Sequence, residues 1–246
     1  MSRHHLSQRR VPMHIIIVIL NTRMDMNNLA LLQLLRLSSP ALPIGGYAYS
    51  QGLEAVCDNA TIDDEESLYN WVKDGLQQAM CYLDVPIFSR CYDAHQEHDA
   101  HAVDYWNSYL LAARETKELL LEDTQLGASL ARLLASLDVP ITPIDKKNCA
   151  LVTCFSLASV HWQIDKAMAA QALLWAWCEN QVSIGIKLIP LGQTSGQIIL
   201  SRLMPIIDRS VTKGLNLPED AIGASCPGMV MASMQHEQQY SRLFRS

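Results

Sequence analysis

The stretch DDEESLYNWVKDGLQQAMCYLDVP, residues 63–86, carries apolar side chains at Leu68, Val72, Leu76, Met80 and Leu83, in steps of three or four. That spacing gathers them on one side of an α-helix, whereas a half-buried strand would alternate in steps of two. Asp63 and Glu66 precede the run at a spacing that resembles a capping box, and Pro86 is expected to end it. The same period recurs at Val103, Trp106, Leu110 and Ala113, and at Leu126, Leu130, Leu133 and Leu137 before a break expected at Pro140 and Pro143. From Asp165 to Asn180 the chain is apolar nearly all round, with Ala169, Ala170, Leu173, Leu174, Trp175 and Trp177 pointing in several directions, so this helix belongs at the centre. Gly192 and Gly196 would leave a shallow groove for a neighbour if both lie on one helix. Strand alternation is nearly absent. The expected fold is an all-α, single-domain bundle of roughly eight to ten helices, held by nonpolar burial at roughly 25 cal/mol per Å².

Composition agrees with one core. Across 246 residues, 49% are hydrophobic and 18% charged, and no Gly-, Ser- or Pro-rich stretch divides the chain. A net charge of -6, with basic residues clustered only at the two ends, argues against a nucleic-acid partner, which needs a basic stripe to displace phosphate counterions. Seven cysteines with no CxxC pair suggest neither a disulfide framework nor a zinc site, and read as small core hydrophobes in a reducing compartment. Cys226 stands apart, beside Pro227 and Gly228 in a segment expected to be flexible. Arg9 and Arg10 followed by VPMHIIIVIL imitate a secretory signal, but the apolar run is too short to span a bilayer and no small-residue cleavage site follows. No membrane association is expected.

The known short catalytic arrangements are missing: there is no GxxxxGK[ST], HExxH, GxSxG or GxGxxG. His95, His98 and His101, with Glu97, are the candidates for a metal, since neighbouring pairs can share a helix face; the competing reading is a solvated polar face. The block from Arg114 to Asp123 contains Glu115, Glu118 and Glu122, with Arg114 and Glu118 placed for an i, i+4 pair. It reads either as a solvated helix or as an acidic face that receives basic residues of a partner. The last residues, SMQHEQQYSRLFRS at 233–246, mix Tyr240, Leu243 and Phe244 with His236, Arg242 and Arg245, a content typical of interface anchors. They are either packed on their own bundle or ordered by a partner.

SSPALPIGGYAYSQGLE at 38–54 joins Pro40 and Pro43 to Gly45 and Gly46 and then to Tyr47 and Tyr49, a surface feature of fixed shape. Together with RETKELLLEDTQLGASLARLL (114–134), WCENQVSIGIKLIPLGQTSGQIIL (177–200) and the closing fourteen residues, it resembles the urease accessory protein UreF family. Those four ordered blocks span essentially residues 28–246, leaving 1–25 as an extension outside the pattern, expected to be disordered and to contribute little to the fold, ahead of a 26–246 domain. The resemblance implies an all-helical, non-enzymatic, cytoplasmic homodimer that bridges UreD (also called UreH) and the GTPase UreG and acts on apo-urease. It also implies that nickel and GTP are handled by the complex, with no cofactor of the chain's own. By the same resemblance, Pro43, Gly45, Tyr49, Gly52 and Glu54 face a partner or the dimer mate. Lys187 is a cation that influences the GTPase, and His236, Tyr240, Arg242 and Phe244 form the docking tail. The alternative is a nickel carrier working through His95, His98 and His101.

Overall fold

A computed structural model describes residues 28–141 and 148–246; the expectations for residues 1–25 and for Pro143 lie outside them. Ten α-helices occur among the described residues: α1 (Asn28–Leu37), α2 (Leu53–Asp58), α3 (Glu65–Asp74), α4 (Asp84–Gln96), α5 (Ala100–Ala112), α6 (Lys117–Ser136), α7 (Leu151–His161), α8 (Lys166–Leu188), α9 (Gln193–Leu215) and α10 (Pro227–His236). The fold is the all-α, single-domain bundle the spacing predicts. α8 runs through its centre, packed along α9 and touching α1, α2, α3, α4 and α7. Its Ala169, Ala170, Leu173, Leu174 and Cys178 are buried in one continuous core. α4 lies between α5 and α7, α6 packs on α7, and α10 packs on α2.

The helix in 63–86 forms, with two corrections. Its cap is Asp64, whose carboxylate accepts from Ser67 N at 2.8 Å while Ser67 Oγ accepts from Asp64 N at 3.1 Å, so the capping box sits one residue later than Asp63 and Glu66. Leu68, Val72 and Leu76 are fully buried as expected. At Gly75 the backbone widens into a π-helix, Gly75–Met80, where a Cβ would come within 2.6 Å of the Trp177 ring. Pro86 therefore ends nothing. It lies in the first turn of α4, where its missing N–H has no intrahelical partner to lose.

In α6 the buried column is Leu126, Leu130 and Leu134, with Leu133 and Leu137 only half-buried. Gly192 caps α9 from outside, where an added Cβ would meet nothing within 4 Å, so the two-glycine groove does not form; only at Gly196 would a Cβ come into ordinary contact with Val182 and Ile186. Six of the seven cysteines are buried, the exception being half-buried Cys57. Cys226 is among the buried ones, at the N-cap of α10.

Candidate functional site

The first turns of α6 project Glu118 and Glu122 inward. They fall eight and four residues before Leu126, on the same buried column, so their side chains enter the protein where an apolar residue would otherwise stand. Glu54 joins them from α2. Each of the three is 6 to 8% exposed, and each is met by the closing residues of the chain.

His236, fully buried at the end of α10, reaches Glu118 Oε2 with Nδ1 at 2.8 Å and Glu54 Oε2 with Nε2 at 3.1 Å. The imidazole ring thus bridges the two buried carboxyl groups, one at each ring nitrogen. Arg242 Nη1 donates to Glu118 Oε1 at 2.8 Å, and the backbone N–H groups of Leu243 and Phe244 donate to the two oxygens of Glu54 at 2.7 and 3.0 Å. Ser246 Oγ donates to Glu122 Oε2 at 2.9 Å, and the main-chain oxygen of Ser246 accepts from Ser50 N at 2.7 Å. Burial pushes the Glu122 carboxyl up to about 7, against the opposing hydrogen bonds from Gln51 and Ser246.

The 38–52 loop is tied to the same group. Trp177 Nε1 donates to Gln51 Oε1 and Gln51 Nε2 donates to Glu122 Oε1, both at 2.8 Å. Asn180 and Gln181 of α8 donate to the main-chain oxygens of Tyr49 and Ser50. Gly52, with φ 83°, caps α2 where a Cβ would stand 2.5 Å from Ser233 N of α10. Beside it, Thr116 Oγ1 and Ser233 Oγ share a hydrogen bond of 2.8 Å.

Behind this group lies a cavity of about 180 Å³, lined by Leu83, Leu126, Phe155, Trp177 and Met229. Arg114 at its wall donates to Asp84 Oδ1 at 2.6 Å and Asp123 Oδ2 at 2.8 Å, while Asp123 Oδ1 caps α7 through Leu151 N at 2.7 Å. Burial opposes the charge on Arg114, but Asp123 and Asp84 outweigh it and hold its pKa above the ordinary guanidinium value. Arg114, Asp84 and Asp123 of the cavity wall are thus bonded to one another.

Several predicted site residues are placed differently from expectation. Tyr49, Glu54 and His236 are buried, so they shape a surface from beneath; Gly52 is buried against α10; and Phe244 packs on the core. Pro43 is exposed, as are Lys187, Arg242 and Tyr240, and Gly45 (φ 84°) is half-buried beside the 70% exposed Tyr47. Arg114 precedes α6 and pairs with Asp84 and Asp123, so the expected i, i+4 pair with Glu118 does not form. The acidic block does receive basic residues, but they are this chain's own His236 and Arg242.

The three histidines do not share a helix. α4 ends at Gln96, His98 takes a left-handed φ of 57°, and His101 lies in the first turn of the next helix. His95 turns inward with Nε2 at 3.3 Å from Thr153 O, and burial pushes its pKa down to about 4. Among the described residues no group of three His, Cys, Asp or Glu side chains is arranged to hold a metal ion.

Gln51, Trp177 and Ser246 belong to the site and fall inside the quoted blocks without being singled out in them, and Asp84 joins them from outside all four blocks. The sequence signal that leads to them is the i, i+4 continuation of Glu118 and Glu122 into Leu126 and Leu130, which marks the carboxylates as inward and in need of donors.

Comparison with known proteins gives this geometry a setting. The family model described as UreF matches residues 62–204. The urease accessory protein UreF of Hahella chejuensis is 45% identical over 219 residues, covering 89% of this chain and 99% of that protein. The proteins of the same name from Alkalilimnicola ehrlichii and a Nostoc species are 44% and 40% identical, over 89% and 87% of this chain and 96% and 95% of their own lengths. With matches of that identity running nearly end to end, the chain belongs to the UreF family of urease accessory proteins.

Proposed function

We propose that this chain is a non-catalytic scaffold in urease maturation, a cytoplasmic homodimer that bridges UreD (UreH) and the GTPase UreG and supports GTP-dependent insertion of nickel into apo-urease. The observation that carries the reading is the form of the closing segment. Its inward groups are fixed on Glu54, Glu118 and Glu122, while Tyr240 and Leu243 stand 106% and 82% exposed, with Met231 and Met234 of α10 alongside at 59% and 58%. A monomeric soluble protein gains nothing by holding large apolar side chains rigidly in water, whereas a docking surface gains affinity from anchors already ordered. This surface is the proposed seat of UreD. The exposed Lys187 at the end of α8 is the proposed contact for UreG, and the loop around Pro43, Gly45 and Tyr47 faces the dimer mate. Nickel and GTP are cargo and fuel of the complex. Nickel carriage by His95, His98 and His101 draws no support from their geometry, since the first points into the core and the chain turns between the other two.

Removing residues from 236 onward would strip His236 from between two buried carboxylates, so a sharper test leaves it in place. Full-length Tyr240→Ala/Leu243→Ala is expected to fold with stability within about 0.5 kcal/mol of wild type, as exposed positions usually do, and to lose UreD in co-purification. Wild-type recovery of UreD by this double variant would sink the docking assignment.

A further inference from the structure

The closing segment is attached through polar groups to an unusual degree. Phe244 is its one side chain packed on the core cluster, and its other attachments to the bundle include hydrogen bonds to Glu54, Glu118 and Glu122, to Ser50 and Gln51 and, from Arg245 N, to Ala48 O at 2.8 Å. Attachments of that kind respond to charge in a way that apolar packing does not.

We infer that Glu54, Glu118 and Glu122 form a proton-sensitive latch, which closes the 237–246 segment onto the bundle as pH falls and releases it as pH rises. The geometry sets the sign. Closed, the latch gathers three carboxylates, with Asp123 close to Glu122, around His236 and Arg242; Arg114 is already committed to Asp84 and Asp123. Among the described residues, the cations matched to these acids are fewer than the acids themselves, so the closed state favours holding a proton on Glu122. When the segment leaves, the carboxylates return to water and the excess charge is solvated.

The chemistry of Glu122 fits this sign. Its carboxyl, at about 7 when closed against an ordinary value of 4.5, contributes to closure fully below 4.5, and that contribution is lost as pH rises to about 7. Groups facing it are Gln51 from the loop, Ser246 from the segment, Asp123 from α6 and Arg114 from the α5–α6 connection. Opening would free Tyr240 and Leu243 from their fixed positions, so the latch is a regulator of the surface proposed above for UreD and rests on that proposal for its biological meaning.

The test uses the isolated full-length chain, so its outcome is independent of UreD. Amide exchange of Leu243, Phe244 and Arg245, corrected for intrinsic rates, is expected to show protection falling about tenfold between about pH 6 and about pH 8, with amides of α8 unchanged. Glu122→Gln, which keeps the shape and an acceptor oxygen, is expected to flatten that profile. Should the variant not fold, the wild-type carboxyl carbon of Glu122, followed by NMR, decides the matter: a midpoint near 7 supports the latch. A midpoint near 4.5, or protection that does not change with pH, overturns it. A chain that latches as described yet fails to bind UreD would sink the docking role and leave the latch standing.

Discussion

Arg114→Met will destabilise the fold by about 3–5 kcal/mol, the cost of leaving buried carboxylates without their cation. The Arg114 side chain is 18% exposed, but Asp84 and Asp123 are only 3% and 6% exposed, so neither acid can recover its lost partner from water. Methionine fills much of the same volume, so the loss reports charge more than cavity. At roughly 2–4 °C per kcal/mol for a protein of this size, thermal unfolding should fall on the order of 10 °C. Adding Asp84→Asn and Asp123→Asn to the same chain should recover most of it. Neutral amides no longer need the guanidinium, and the amide oxygen introduced at position 123 can still accept from Leu151 N to cap α7. If the single variant loses less than about 1 kcal/mol, the trio is solvated, and the cavity wall is open to water in a way the geometry does not allow.

This trio also shows where reading the sequence stops. Arg114, Asp84 and Asp123 sit in three different segments, and no local spacing joins Asp84 to a residue thirty positions on. The periodicity found the helices and the central role of α8, since both follow from apolar area that must be covered whatever the partner. It missed the π-helix at Gly75–Met80, where Trp177 approaches closely from a distant part of the chain, and it misplaced the end of that helix, because Pro86 is equally at home in a first turn.

The site was half legible for the same reason. The loop at 38–54 and the closing segment stand out as the informative stretches, and the acidic block reads either as a solvated helix or as a receiver of a partner's basic residues. Local spacing could not say that receiver and received are in one chain. Glu118 and Glu122 look solvated by composition, yet both are buried, and Glu122 lies one turn before the buried Leu126 on the same side of the helix. His95, His98 and His101 erred the opposite way. Their spacing suits a continuous helix, but His98 is where the helix stops.

Gly52→Ala tests the joint between the two stretches. The substitution meets two separate obstacles: a φ of 83°, which costs an L-residue about 1–2 kcal/mol, and a Cβ placed 2.5 Å from Ser233 N and 2.8 Å from Ala232 Cβ. Backbone cannot rotate aside as a side chain can, so α10 must move away from α2, at about 1–3 kcal/mol for the overpacking. The displacement is levered onto the site. Ser233 would draw back from Thr116, and His236, one turn further along α10, would lose its alignment between Glu118 and Glu54. The expected result is a loss of about 2–5 kcal/mol, with residues 237–246 opened to carboxypeptidase at a pH where the wild type resists. Gly45→Ala supplies the control, because its φ is 84° but nothing lies within 4 Å of the added Cβ. It should carry the backbone cost alone, about 1–2 kcal/mol, and leave the closing segment protected. Equal losses from the two substitutions, or a protected segment in Gly52→Ala, would mean that contact between α2 and α10 does not hold the segment in place.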